Sequence, residues 1–233
     1  MKTRNYLFIL TILLGIFIYS CSDSNIKEPE NESSLELQSR STGIGESCLG
    51  ETPAACYDGV YSWPIVIPDY PNCEFIVTVD YYTCIGLGGG RVHFGDFDYV
   101  VNIGCNEFYD DWDDAIQNGT EDQFYTHFNQ QIWQAVTLNL LNVAPLSLWQ
   151  VAQIEYNVGS CIYLCEREAL RCGDACCQKT NIWERNKKGD WELTEEGDIT
   201  LIGDACPDDP ISFCPGNVLQ SGICFDNCAS LDF

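Results

Sequence analysis

Asp110, Asp111, Asp113 and Asp114, interrupted only by Trp112, form the densest carboxylate run in the chain. Hard cations such as Ca²⁺ are held by several oxygens gathered from a compact loop. The run lacks the D-x-[DN]-x-[DN]-G spacing of a calcium-binding loop. The preferred reading is a solvated helix N-terminus, where carboxylates complement the helix dipole. No cofactor is expected, and Ca²⁺ is the metal considered for these oxygens. Asp96 and Asp98, one residue apart on an expected strand, are a second carboxylate pair, and Asp208 and Asp209 a third. Plentiful acids leave a carboxylate pair for glycoside hydrolysis open.

Nucleophilic catalysis needs a nucleophile, a base and an orienting group. The only histidines are His93, which alternates with apolar residues, and His127, within an expected helix. Both are read as structural. No G-x-S-x-G, H-E-x-x-H or P-loop pattern occurs. Gly86-Leu87-Gly88-Gly89-Gly90 is glycine-rich like a phosphate loop, but a strand, not a helix, is expected after it. Of six tryptophans, Trp183 and Trp191 flank an expected hairpin. Exposed, they would stack on a sugar or form a protein-binding patch. A cross-strand structural pair is the preferred reading.

Fifteen cysteines are the other chemical resource. Cys21 stands apart near the N-terminus. The remaining fourteen are Cys48, Cys56, Cys73, Cys84, Cys105, Cys161, Cys165, Cys172, Cys176, Cys177, Cys206, Cys214, Cys224 and Cys228. An even number in an exported chain reads as up to seven disulfides. There is no C-x-x-C redox motif, and two histidines with C-x₃-C spacings make a poor zinc ribbon. Spacing leaves connectivity open. One exclusion follows from geometry. Cys73 and Cys84 bound one expected strand, so an extended chain would hold them roughly 35 Å apart, far beyond disulfide reach. Adjacent Cys176 and Cys177 are expected to point apart and tie two different elements to one spot.

The N-terminus explains the compartment. Lys2 and Arg4 precede an almost wholly apolar run from Tyr6 to Tyr19, and Ser20 stands before Cys21. That is the layout of a secretory signal over residues 1–20, and the run is too short for a spanning helix. Ile18-Tyr19-Ser20-Cys21 resembles the lipobox of bacterial lipoproteins, with Tyr19 bulkier than usual. The resemblance covers residues 1–21 and implies that Cys21 is acylated and becomes the first residue of a membrane-anchored protein. Several acyl chains, at about 0.8 kcal/mol per buried CH₂, anchor stably where one does not. Ser22 in place of Asp implies the outer membrane or the cell surface. Residues 22–45 are polar, without sustained apolar patterning, and read as a disordered tether.

The chain carries 35 acidic and 11 basic residues, a formal charge of −24; cleavage after Ser20 removes two basic residues and no acidic ones, giving −26. Such a field repels phosphate backbones, so nucleic acid is not an expected partner.

Residues 46–233 suffice for one domain with a sizeable core. Phe75–Thr83 is dense in β-branched and aromatic residues, and Arg91–Val101 alternates apolar with polar, its parity switching at Gly95-Asp96 as at a bulge. The two are expected to pair across the glycine loop. Thr120-Glu121-Asp122-Gln123 fits a capping box, and Phe124, Phe128, Ile132, Ala135, Val136 and Leu140 follow at helical spacing, so one long helix is expected over about 121–142. A shorter acidic helix is expected over 110–117. Residues 149–165 fit a strand by parity and a helix by their polar spacing; strand is preferred. Residues 181–185 and 190–194 read as a hairpin around Gly189. Residues 203–233 read as an irregular tail stapled by disulfides.

The expected fold is therefore α+β, a mainly antiparallel sheet with one long helix and a disulfide-stapled C-terminal region. The expected function is that of a non-enzymatic binding or structural module of the envelope with a protein or glycan ligand. An extracytoplasmic carboxylate-based glycan hydrolase is the first alternative. A disulfide-rich protease inhibitor is the second, since Cys165-x₆-Cys172-x₃-Cys176-Cys177 resembles knotted inhibitor scaffolds.

Overall fold

The computed structural model describes residues 48–50, 53–86, 89–102, 104–143, 146–165, 168–206 and 224–233. The expected signal peptide 1–20, Cys21 and the tether 22–45 lie outside these residues, as do Asp208, Asp209 and Cys214. The described residues fall within one compact unit.

Three strands open the chain: β1 (Tyr57–Ile67), β2 (Tyr70–Gly86) and β3 (Gly89–Val101). They pair as an antiparallel meander. The parity switch read at Gly95-Asp96 is a bulge. Val79 faces Phe97 and Tyr81 faces Phe94, so Gly95 and Asp96 together oppose Asp80. The extra residue puts Phe94 on the same face as Phe97 and Tyr99, and all three meet the helices.

Two substantial helices follow, where one long and one short helix are expected. Helix α1 (Asn106–Asn118) is longer than the 110–117 expected, and α2 (Glu121–Leu141) ends one residue short of its expected bound. Gly119 separates them at φ +68°, a conformation glycine adopts without Cβ strain, and Thr120 N–H reaches back to Ala115 O at 2.9 Å. The expected capping box does not form. Thr120 sits at φ −122°, ψ 20° and makes no side-chain cap. An N-cap side chain needs extended backbone to reach the N2 or N3 N–H, and the sharp turn at Gly119 denies it that.

The chain returns as β4 (Val151–Gly159), parallel to β3, and continues as β5 (Cys161–Cys165), β6 (Glu168–Arg171), β7 (Cys176–Arg185), β8 (Trp191–Glu196), β9 (Thr200–Ile202) and β10 (Phe225–Asp226). The large sheet runs β1-β2-β3-β4-β7-β8, with β9 also on β7; a small sheet runs β10-β5-β6. The strand reading of 149–165 is correct, but Ser160 divides it between two sheets. A parallel pair needs a crossover, and the two helices supply it.

Residues of β1 to β4, β7 and β8 bury one face under α1 and α2. Phe108, Trp112, Phe75, Phe94, Phe128, Trp133 and Tyr156 are each 2 % exposed or less. Phe108 meets Tyr70, Phe75, Tyr99, Trp112 and Phe128 with ring centroids 5.0–6.3 Å apart. No described helix is long and apolar enough to cross a membrane.

Candidate functional site

A polar cleft lies where α2, the bulge of β3, the β4–β5 corner and the C-terminal segment converge. Asp96, Phe97, Tyr125, Asn129, Val158, Gly159, Arg171 and Asn227 line it. Its volume is about 330 Å³ with the open solvent at its mouth included. The bulge aims Asp96 into this cleft instead of along the sheet.

Asp96 accepts a hydrogen bond from Gly159 N–H and lies 3.7 Å from Arg171 Nη1. Burial raises its carboxyl, the Gly159 N–H and the Arg171 guanidinium lower it, and the balance remains upward. Arg171 is held from its other side by Ala175 O at 3.2 Å. Tyr125 is pushed far up by burial, with the Asp96 and Asp98 charges acting in the same direction. Asn129, 2 % exposed, donates to Asn227 Oδ1 at 3.3 Å, while its buried Oδ1 accepts no hydrogen bond among the described residues. A buried carbonyl left so costs ~1–3 kcal/mol. The cleft thus offers a carboxylate, a guanidinium and a buried acceptor within one small volume.

A second polar row crosses the opposite face of the large sheet. His93 Nδ1 is 2.9 Å from Glu155 Oε1, and Glu155 also accepts from Asn157 at 3.1 Å and Gln178 at 3.0 Å. Tyr82 stacks on the imidazole, ring centroids 4.3 Å apart. The hydrogen bond from His93 lowers the Glu155 carboxyl more than burial raises it. Burial, with the Glu155 charge behind it, raises Tyr82. His93 acts here as a tie between β3 and β4. His127 is exposed on α2 and joins Asp69, 2.8 Å away, to Gln131.

The acidic run does not converge. Helix α1 begins at Asn106, so Asp110 to Asp114 lie in its second and third turns, not at its N-terminus. Asp110, Asp111 and Asp114 point to solvent around the helix, and Asp111 accepts from Tyr70 Oη at 2.9 Å. The described groups of three ligands close enough for a metal are Cys161, Cys206, Cys224 and Cys177, Asp226, Cys228. Their cysteines are all in disulfides.

Trp183 and Trp191 are buried, at 6 % and 7 % exposure, and offer no face to a ligand. They are not directly paired either. A register shift sets Trp183 opposite Leu193 and Trp191 opposite Arg185. Both side chains lie on the helix-covered face, and Trp191 Nε1 donates to Leu141 O at 3.1 Å.

The bridges are Cys48–Cys176, Cys56–Cys84, Cys73–Cys105, Cys161–Cys206, Cys172–Cys224 and Cys177–Cys228. Cys165 is disulfide-bonded as well. Cys73 and Cys84, at the two ends of continuous β2, take different partners. Cys176 and Cys177 reach opposite ends of the described residues, Cys48 and Cys228. The four cysteines likened to a knotted inhibitor therefore do not close a local knot, since Cys172, Cys176 and Cys177 bond outside the run. Sequence reasoning missed the Asp96–Arg171 pair. The parity switch was its visible signal, because a bulge re-aims the side chain it carries.

Comparison with protein-family models, curated proteins and solved structures finds no match to this chain.

Proposed function

We propose that this is a lipid-anchored protein of the bacterial cell envelope, at the outer membrane or cell surface, whose folded domain binds a glycan. The lipobox-like Ile18–Cys21 segment supports the anchor. The disulfides support export, since such bridges persist in oxidising compartments.

The observation that carries the binding role is the cleft. Asp96 accepts, Arg171 donates and Asn129 Oδ1 is a buried acceptor with no partner among the described residues. A neutral polyol presents donor and acceptor hydroxyls side by side and satisfies all three. An anionic ligand would meet a chain of charge −24.

The test is a binding screen of the purified chain on envelope and host polysaccharides. The expected result is a hit that Asp96→Asn weakens about 10-fold or more, as loss of a charge-assisted hydrogen bond implies. Binding that ignores Asp96→Asn, Arg171→Lys and Asn129→Leu alike sinks the reading. The anchor is checked separately by incorporation of labelled palmitate, which Cys21→Ser abolishes.

The raised carboxyl of Asp96 favours a second reading, a hydrolase using Asp96 as general acid. Release of reducing ends that survives repurification and is lost in Asp96→Asn decides for it.

A further inference from the structure

Two bridges of the small sheet lie against each other. Cys224 Sγ is within 4.8 Å of both Cys161 Sγ and Cys206 Sγ, though it is bonded to Cys172. Strands β5 and β6 are antiparallel with Ile162 opposite Arg171, which sets Cys161 opposite Cys172 one step further along, and Cys172 N–H donates to Cys161 O at 3.0 Å. Residues paired in this way have Cα atoms about 4.5–5.5 Å apart, inside the range a disulfide spans. Four clustered cysteines, with Cys161, Cys172 and Cys224 buried and Cys206 half-buried, allow three pairings, and two of them follow from the bridges and the register above. One way joins the β5–β6 hairpin to the C-terminal region by Cys161–Cys206 and Cys172–Cys224. The other makes both bridges local, Cys161–Cys172 within the hairpin and Cys206–Cys224 within the C-terminal region.

We infer that these four cysteines form a thiol-triggered exchange centre that switches between the two pairings. A small-molecule thiolate attacks Cys206, the most exposed of the four. A mixed disulfide forms at Cys206, the Cys161–Cys206 bond breaks, and Cys161 leaves as a thiolate. Cys161 Sγ attacks Cys172 Sγ across the hairpin. The Cys161–Cys172 bond forms and Cys224 leaves as a thiolate. Cys224 Sγ then attacks Cys206 Sγ, forms Cys206–Cys224 and expels the small thiolate. The number of disulfides is unchanged, no net electrons are transferred, and the thiol is regenerated. The switch frees β5 and β6 from two of their bonds to the C-terminal region. That region also carries Asn227 of the polar cleft, so the pairing state reaches the candidate binding site.

The experiment treats the full chain, oxidised and in detergent, with glutathione below stoichiometric amounts. Exchange is quenched with acid and alkylating agent, and bridges are mapped by mass spectrometry without reduction. The expected result is the appearance of Cys161–Cys172 and Cys206–Cys224 together, in equal amounts, while Cys56–Cys84 and Cys73–Cys105 persist. Glutathione adducts or free thiols without the two new bridges overturn the inference. The Cys172→Ser chain tests the last step without added thiol. There Cys224 is free to displace Cys161, so alkylation is expected to divide between Cys224 and Cys161. Label confined to Cys224 rejects the exchange.

Discussion

Two regions of this domain are held together by different physics. The large sheet with α1 and α2 rests on a continuous aromatic and aliphatic core, in which Phe108 alone touches seven other rings. The small sheet rests on a separate cluster of Cys161, Tyr163, Cys165, Cys172, Ala175 and Cys224, with Leu170 and Cys206 packed against it. Strand β5 shows the division residue by residue. Ile162 and Leu164 point into the aromatic core, and Cys161, Tyr163 and Cys165 into the cysteine cluster. A four-residue strand and a two-residue strand bury too little apolar surface to offset their ordering entropy. Covalent links that restrict the unfolded chain take over that role. The cysteines are therefore concentrated where the apolar pattern fails.

Reduction is the strongest way to break the comparison. With each bridge contributing about 2–4 kcal/mol, a reduced chain is expected to lose amide protection in β5, β6 and β10 well before β2 and β3. Hydrogen exchange under reducing conditions reads this directly. Simultaneous loss in all strands would mean that the two regions are one cooperative unit.

The reverse test is Phe108→Ala. Truncating a fully buried phenylalanine costs about 3–5 kcal/mol, read as a lower denaturant midpoint. The pattern of bridges should remain unchanged. Scrambled disulfides would show that the aromatic core also directs oxidation.

Lys179 fastens the C-terminal turn to the large sheet. Its ammonium is 1 % exposed, inside the large sheet, and binds Glu196 together with Leu231 O at 2.8 Å and Asp232 Oδ1 at 3.4 Å. Lys179→Met removes the charge and keeps most of the volume. Glu196 and Asp232 remain largely in water, so the expected loss is about 1–2 kcal/mol, below that of a fully buried pair. Exchange should quicken at residues 228–233 and not in β2 or β3. Uniform quickening would contradict a local fastening.

The smallest expected effect is the pH response of Glu155. Its folded carboxyl lies below the ordinary value of 4.5 because His93 donates to it. Between the folded and ordinary values the unfolded chain binds more protons, so stability from this group is present above pH 4.5 and is lost as pH falls through the lowered value. Asp96 acts oppositely. Raised above 3.8, it favours the fold at low pH and weakens it as pH rises through the raised value. Glu155→Gln is therefore expected to flatten the acid limb of a melting-temperature profile, and an unchanged limb would assign that limb to other carboxylates.

Much of the large sheet was legible in the residues. The 75–83 and 91–101 runs, the bulge at Gly95-Asp96 and the 181–194 hairpin all follow from alternation and turn chemistry. Helix α1 was under-read because Asn106, Glu107 and Phe108 carry little helical periodicity of their own; packing of Phe108 and Trp112 extends the helix. On α2 the buried set is wider than the spacing suggested. It includes Glu121, Tyr125, Asn129 and Thr137, because the helix is covered on a second side by the C-terminal segment. Periodicity reports one apolar face, and it has no means of showing a second, polar contact. Trp183 and Trp191 leave a ligand-facing and a structural reading open for a related reason, since a tryptophan pattern is the same whether a sheet face is open or roofed by a helix.

By itself the sequence determined the mixed α and β elements, the antiparallel pairing of neighbouring strands and the engagement of cysteines in disulfides. Those properties arise from local periodicity, turn chemistry and composition, which act over a few residues. Tertiary structure alone decided which cysteines pair, which face of each strand is covered, and that Asp96, Asn129, Arg171 and Asn227 share one cleft. These residues are as much as 131 positions apart in the chain. Only the closing of α2 and the C-terminal segment over the sheet brings their side chains together, because hydrogen bonds and disulfides act over a few ångströms of space and not along the sequence.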